Sequence, residues 1–566
     1  MTSVTHDSVD GGGGLQRTIN WQGAFWVASG VPALVLFSIG GIAGTAGKLA
    51  FLVWAISMVM GFLQSFTYAE IAGLFPNKSG GASIYGATAW LRYSKFIAPL
   101  SVWCNWFAWS PVLSLGCAIA AGYILNAIAP IPVFTAGSPE VLAWLADKAH
   151  AGKDAAAAIA DLTAANTPWL ASFNAFSIPV PGLGTLNFNS TFFIGVLLML
   201  IVFAIQHRGI LGTANAQKWI GLLVIVPMLI VGIVPFFNGG FQAANVAGPY
   251  WPGQGDNVGW TYFLGALFIA AWSTYAFETA VCYTREFKNP ETDTFKAIFY
   301  SGLLCLLLFV LVPFTFQGVL GVDGMKDPGI VAGTGVANAM ANMVAGGNFI
   351  IHQIFVVLMI LALILAIMTA MAGSSRTLYQ GSVDGWLPKY LNHTNENGAP
   401  TRAMWTDLVF NLFLLAIASD AGGYFLILAV SNVGYIIFNF LNLNAGWIHR
   451  VDSGHIERPY RAPTWLIGLN TILAFVNAVF MGAGAKVWGY SNALWLGFAF
   501  AALIIPVFAY RHFIQDHGQF PAGALEEIGL KGQDLGERKA GIIPYLVLAA
   551  GLAVVLISNY LFQLPT

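Results

Sequence analysis

The sequence predicts an all-α polytopic membrane protein of about thirteen spans, and three observations predict it. Hydrophobic residues make up 57% of the 566 and charged residues 9%, where an ordinary soluble domain is roughly a quarter charged. A window of about 19 residues finds apolar segments centred near 35, 60, 112, 199, 224, 267, 306, 362, 411, 435, 475, 502 and 552. Each is long enough to cross a ~30 Å hydrocarbon core as a helix. Lys and Arg are also partitioned: of the 24, all but Lys48, Lys148, Lys153, Lys326 and Lys486 fall on one side of the alternating spans. By the positive-inside rule that side is cytoplasmic, which puts the N-terminus inside and the C-terminus, after thirteen spans, outside. The net charge of -1 therefore reflects a partition, and no basic cluster suggests nucleic acid.

In chain order, residues 1–17, with four consecutive glycines at 11–14, read as a flexible cytoplasmic tail. The first apolar segment lacks the basic flank and small-residue cleavage site of a signal peptide and is expected to stay as span 1. Spans 1 to 5 occupy 18–236, with a long external segment at 127–190 whose Ala-rich middle reads as one short surface helix between loops. Spans 6 to 10 occupy 259–447, and a Gly-rich external insert at 321–348 separates spans 7 and 8. Residues 463–566 supply peripheral spans 11 to 13, with a soluble stretch at 514–540 before the last. Cys104, Cys117, Cys282 and Cys305 lie in or beside spans without a CxxC pair and read as packing residues. No nucleotide loop, metal-ligand spacing or nucleophile triad occurs, so neither an enzyme nor a cofactor is expected.

Two spans contain material that interrupts a helix. Span 1 has Ser29-Gly30-Val31-Pro32 and, further on, Gly40-Gly41, either of which can open the backbone. Span 6 has Ser273 to Ala276, poor helix formers beside Glu278. Interrupted helices at corresponding positions of two halves of opposite orientation are the sequence pointer to a transporter's midplane site.

Four blocks carry a resemblance: Ser29-Gly30-Val31; YAEIAGLFPNKSGGASIYG (68–86); AAWSTYAFE followed by REFKNPETDTFKAI (270–298); and SSRTLYQGSVDGWLPKYLNHTNENGAP (374–400). In order and placement they resemble the amino acid-polyamine-organocation permease family over roughly 18–515. The resemblance implies the LeuT-type fold, a five-plus-five inverted repeat with discontinuous helices 1 and 6. It implies secondary transport of amino acids by alternating access in a plasma membrane, proton-coupled or exchanging. The partners are then a small-molecule amino acid, the lipid bilayer and, as a candidate coupling ion, the proton.

On that footing the amides around Ser29, Gly30 and Val31 are expected to meet an α-carboxylate, helped by the positive end of the following half-helix. Carbonyls near Trp272, Ser273 and Tyr275 are expected to accept from an α-ammonium, with the Trp272 ring as a lid. Leu113 and Gly116 in span 3 and Ala370 in span 8 suggest an apolar subsite, hence neutral substrates. Glu278 would cost ~2.5–3.5 kcal/mol at mid-bilayer. It is expected to cap the inner half of span 6, or alternatively to bind a coupling proton. Glu70 and Arg376 are candidates for an inner gate, or a solvated helix end and a positive-inside charge. Where some proton-coupled relatives have a lysine in span 5, Val224 is expected here. Two other readings stand beside this one: a polyamine or cationic amino acid exchanger, and a transport-dead nutrient sensor.

Overall fold

The computed structural model describes residues 14–132, 134–150, 152–250, 256–488, 492–531 and 533–564. The expected tail at 1–17 lies outside these except for its last four residues.

A lipid core offers no hydrogen bonds, so a crossing chain must satisfy its own backbone, and these apolar runs do so as helices. Span 1 is Trp21–Ala28 and Val35–Ala46; span 2 is Ala50–Gly73; span 3 is Ile97–Trp109 and Val112–Ile128; span 4 is Ser190–Gln206; span 5 is Gly209–Ile233. Span 6 is Asp256–Thr274 and Ala276–Glu286, span 7 Pro290–Met325, span 8 Phe349–Val383, span 9 Thr401–Ala418 and span 10 Ala421–Asp452. Span 11 is Thr464–Gly484, span 12 begins at Ala493–Ala502 and winds on to Gln515, and span 13 is Ile543–Leu561.

Eleven runs among the described residues are long and apolar enough to cross a membrane. The first of them, Trp21–Gly73, contains two crossings. The chain turns at Gly47 (φ 58), which brings Arg17 at its start back to the Pro76 carbonyl after its end (3.0 Å). The shorter apolar helix Ser190–Gln206 supplies span 4. The protein is thus an all-α polytopic membrane protein, with spans 1 and 6 both interrupted as the resemblance implies.

Several spans begin on a side-chain cap. Asn20 accepts from Gly23 N (3.1 Å), Asn189 from Phe192 N (3.0 Å), Asn348 from Ile350 N (3.0 Å) and Asp420 from Gly423 N (2.9 Å). Each supplies an acceptor to a first-turn amide that the helix itself leaves free. Between helices, polar side chains act as glue. Asn439 of span 10 donates to Gln64 Oε1 (2.7 Å) and the Tyr68 hydroxyl (2.6 Å) of span 2. Asn477 of span 11 donates to Asn439 Oδ1 (2.9 Å) and accepts from the Tyr275 hydroxyl of span 6 (2.9 Å). The apolar core of span 6 is wholly buried, whereas span 13 packs on span 11 and is mostly exposed.

Two segments between spans are more structured than the sequence suggests. The 127–190 segment holds helices Pro139–Ala146 and Ala155–Asn166 and an antiparallel hairpin, Asn174–Val180 with Gly184–Asn189. The hairpin escapes a sequence reading because the first strand is exposed along nearly its whole length, leaving no buried face to alternate. The 321–348 insert holds two short helices, Pro328–Val331 and Val336–Ala345. Its Ile330 carbonyl lies 2.2 Å from where a Cβ on Gly40 would be.

Candidate substrate site

Span 1 opens at Ser29-Gly30, not at Gly40-Gly41. Pro32 has no N–H, so the carbonyl four residues back loses its helical partner, and residues 31–34 wind as a tighter 3-10 turn. Gly40 and Gly41 lie inside Val35–Ala46, where the missing Cβ admits Ile330 and the rings of Trp488 and Phe425. The opened backbone is held from two sides. The Val27 carbonyl accepts from Gln217 Nε2 of span 5 (2.9 Å) and Thr369 Oγ1 of span 8 (2.6 Å). Gly30 N donates to Thr369 Oγ1 (3.2 Å). Ser29 Oγ turns back to the Trp26 carbonyl (2.7 Å). Val224 is buried in span 5, but the side chain that reaches this break is Gln217.

Span 6 opens at Tyr275, and residues 276–286 continue as a 3-10 helix. That is a long run for so tight a winding, and such runs mark hinges or strain. The two broken spans meet: Ser273 Oγ donates to the Leu34 carbonyl (3.3 Å), and the Phe37 and Trp272 rings lie 5.7 Å apart. Trp272 Nε1 donates to the Ala108 carbonyl of span 3 (3.1 Å). Leu113 and Ala370 are buried, and Gly116 lets Ile367 and Phe37 close over span 3. Tyr275 is engaged at both ends. Its hydroxyl goes to Asn477, as above, and its carbonyl accepts from Tyr435 OH (3.3 Å) and from Glu278 N (3.3 Å), so the acceptor expected there is already occupied.

Glu278 stands in the first turn of the inner half of span 6, but its carboxylate caps no backbone amide of that segment. Oε1 accepts instead from Trp109 Nε1 (2.9 Å) and Asn105 Nδ2 (3.5 Å) of span 3, and buried Oε2 has no hydrogen-bond partner. Glu278 keeps the expected first-turn position, but the donors that reach its carboxylate are side chains of a neighbouring span. Span 3 is itself interrupted, at Ser110-Pro111, which sequence reading missed; Pro111 inside an apolar run is the signal that marks it.

Toward the basic end the structure is closed. Arg376 is buried and forms a bidentate pair with Glu286, with Nη2 to Oε1 at 2.9 Å and Nε to Oε2 in a short contact. Lys78 Nζ joins Asp384 Oδ2 (2.9 Å) to the Ala524 carbonyl (2.6 Å) of the 516–540 stretch. Between them Gly80 (φ +92) and Gly81 (φ +85) thread past Arg376 and Cys282. Gly80 N donates to the Cys282 carbonyl (2.9 Å), and Thr377 Oγ1 donates to the Gly80 carbonyl (2.8 Å). Positive φ and contact with backbone and sulfur leave no room there for a side chain. The 516–540 stretch lies over this closure, with Phe520, Leu525 and Ile528 buried and Ala540 N on Asp452 Oδ1 (3.1 Å). Glu70 stands apart from it. Buried rather than solvated, it accepts from Arg450 Nε (2.8 Å) and Nη2 (2.6 Å) and from Ala462 N (2.8 Å), which ties span 2 to the loop after span 10. At the opposite end a depression of about 100 Å³ is lined by Ile119, Thr334 and Tyr424 among others, and Tyr424 OH donates to the Phe37 carbonyl (3.1 Å).

Glu286, Asp384, Asp407, Asn105, Trp109, Gln217 and Thr369 carry contacts that sequence reading did not assign. The charges Glu286 and Asp384 were inside the motif blocks, and Asp407 is a lone acid in an apolar run; the rest had no signal beyond a polar side chain in a span.

Comparison with known proteins yields a family model described as amino acid permease, matching residues 19–508. Among curated relatives, the chain is 24% identical to a branched-chain amino acid permease of Lactococcus lactis over 56% of this chain and 65% of that protein. It is 25% identical to a lysine-specific permease of the same organism over 61% and 70%. It is 28% identical to a histidine permease of Saccharomyces cerevisiae over 37% and 36%. The chain thus spans less than two thirds of the first of these and about a third of the last.

Proposed function

The chain belongs to the amino acid permease family, and from that premise we propose that it is a secondary transporter of amino acids working by alternating access. The observation that carries the reading is the meeting of two interrupted spans, 1 and 6, joined through Ser273 and Leu34 above a closed basic end. Residues 18–236 and 259–447 act as the two inverted halves, and the basic side faces the cytoplasm of a plasma-membrane protein. In the cycle, the backbone at Ser29, Gly30 and Val31 releases Thr369 to take the substrate carboxylate. The Tyr275 carbonyl releases Tyr435 to take the ammonium. Occlusion then swaps protein hydrogen bonds for substrate ones, so no backbone group is stranded in the membrane.

Neutral substrates are favoured by the apolar walls at Leu113 and Ala370. The second reading, a cationic amino acid or polyamine, rests on one observation, the unpartnered Oε2 of Glu278, which is an acceptor for a second ammonium. A panel of radiolabelled amino acids and amines in proteoliposomes, with and without a pH gradient, tests both, and accumulation of none of them returns the protein to the sensor reading. Glu278→Gln tests the proton role. Gradient-driven accumulation should be lost while counterflow, which needs no net protonation cycle, persists. Accumulation that keeps its wild-type pH dependence would remove Glu278 from coupling.

A further inference from the structure

Span 3 presents two pairs of donors, each pair four residues apart. Asn105 and Trp109 reach Glu278. Trp106 and Ser110, one residue further along and so turned by about 100°, reach Asp407 of span 9. Asp407 is fully buried. Its Oδ1 accepts from Trp106 Nε1 (2.6 Å) and Ser110 Oγ (2.8 Å), and its Oδ2 takes Ser374 Oγ of span 8 in a short contact. Asn411, one turn on, donates to Ser110 Oγ (2.8 Å). Among the described residues no Lys, Arg or His pairs with this carboxyl.

A carboxylate inside a membrane protein without a cation is costly, and buried acids there are usually paired with one another or with cations. Here the partners are neutral, and they do not commit the group to one charge state. The Trp106 indole can only donate, but a serine hydroxyl donates or accepts. Ser374 can therefore turn to accept from a protonated carboxyl while Trp106 and Ser110 go on donating. The hydroxyl hydrogen of Ser374 then has the Met371 carbonyl (3.5 Å) as its acceptor. On the elements packed against span 9, span 3 offers Cys104, Cys117 and Tyr123, and span 4 offers no titratable group. Span 8 offers His352, Tyr379 and Arg376, the last committed to Glu286; span 10 offers Tyr424, Tyr435, His449, Arg450 and Asp452; the strand Gly184–Asn189 offers none, and the turn Lys389–Leu391 offers Lys389 and Tyr390. None of these makes a hydrogen bond or ion pair with Asp407.

We propose that Asp407 is a second proton-binding site, linked to Glu278 through the two adjacent faces of span 3. Its occupancy sets how tightly spans 3, 8 and 9 are drawn together at the Ser110-Pro111 interruption. The link to substrate movement rests on the transporter reading; the proton site itself does not. It is tested on the purified full chain by infrared difference spectroscopy across an acid-to-alkaline series. With the other candidate removed by Glu278→Gln, the protein should still show the carbonyl stretch of a buried carboxylic acid appearing as pH falls, and adding Asp407→Asn, which mimics the protonated form, should abolish it. Ser374→Ala keeps the carboxyl but removes the hydroxyl that reverses, and should shift the pH at which the band appears. A band unchanged in both variants overturns the proposal, whatever the protein carries. In proteoliposomes Asp407→Asn should lose gradient-driven accumulation by at least about tenfold and retain counterflow; unchanged accumulation overturns the link to transport.

Discussion

Gly30 sets the distance between spans 1 and 8. A Cβ built there would lie 2.3 Å from the Leu365 carbonyl oxygen and 2.5 Å from Thr369 Oγ1, and the carbonyl belongs to backbone that cannot rotate away. Gly30→Ala must push span 8 outward, an overpacking cost of ~1–3 kcal/mol, and it displaces the hydroxyl that holds the Gly30 amide. Expected are a lower unfolding temperature in detergent and loss of substrate binding by scintillation proximity assay. Gly40→Ala meets Ile330 instead, so it should lower stability with a much smaller effect on affinity. Equal losses of affinity in both would mean that the Ser29-Gly30 opening has no special place in binding.

Inner closure depends on an element pair, the inner half of span 6 against span 8, held by Arg376 and Glu286. Both groups are buried. Removing one partner of such a pair strands the other charge at a cost of ~3–5 kcal/mol. Glu286→Gln should therefore favour opening at the basic end. Cys282, now buried against Gly81, reports it: in a variant retaining only that cysteine, labelling by an impermeant maleimide from the basic face should speed up by about tenfold or more. Unchanged labelling would show that the pair is a packing feature rather than a gate.

The same elements show what a sequence can disclose. The span 1 break is legible because Gly30 and Pro32 alter the backbone itself, and the span 6 break because Glu278 is out of place in an apolar run. Arg376 is legible only as a charge. Its partner is 90 residues away, and no local pattern chooses between Glu286 and solvent. Likewise the role of Glu278 turns on Asn105 and Trp109, which sit in span 3 among other polar and aromatic residues without a distinguishing period. Side-chain partners across spans belong to tertiary packing, and propensity carries no record of them.

At the scale of the whole molecule, the 516–540 stretch closes the basic end from outside the membrane. Within it Glu527 lies near Lys78, and burial pushes its carboxyl up to about 7 from 4.5, against the pull of Lys78. Between those two values the docked stretch holds a proton that the undocked stretch gives up. Docking is strongest below the free value near 4.5 and weakens as pH rises through about 7. Hydrogen exchange over 520–530, corrected for intrinsic rate, should be faster near pH 7.5 than near pH 5.5. Glu527→Gln should make the two equal, and a pH difference surviving in that variant would place the titrating group elsewhere.

The closure around Lys78 also has a schedule. Its partners Asp384 and Ala524 lie 306 and 446 residues downstream, and Gly80 waits 297 residues for Thr377. At a synthesis rate of ~5–20 residues per second, the segment with Lys78, Gly80 and Gly81 leaves the ribosome roughly 15 to 90 seconds before it can be completed. During that interval the Lys78 amine lacks both of its partners and the Gly80 carbonyl lacks the Thr377 hydroxyl. A chain that ends before span 8 lacks Asp384, Thr377 and Ala524 alike, so it holds none of these three bonds of the closure.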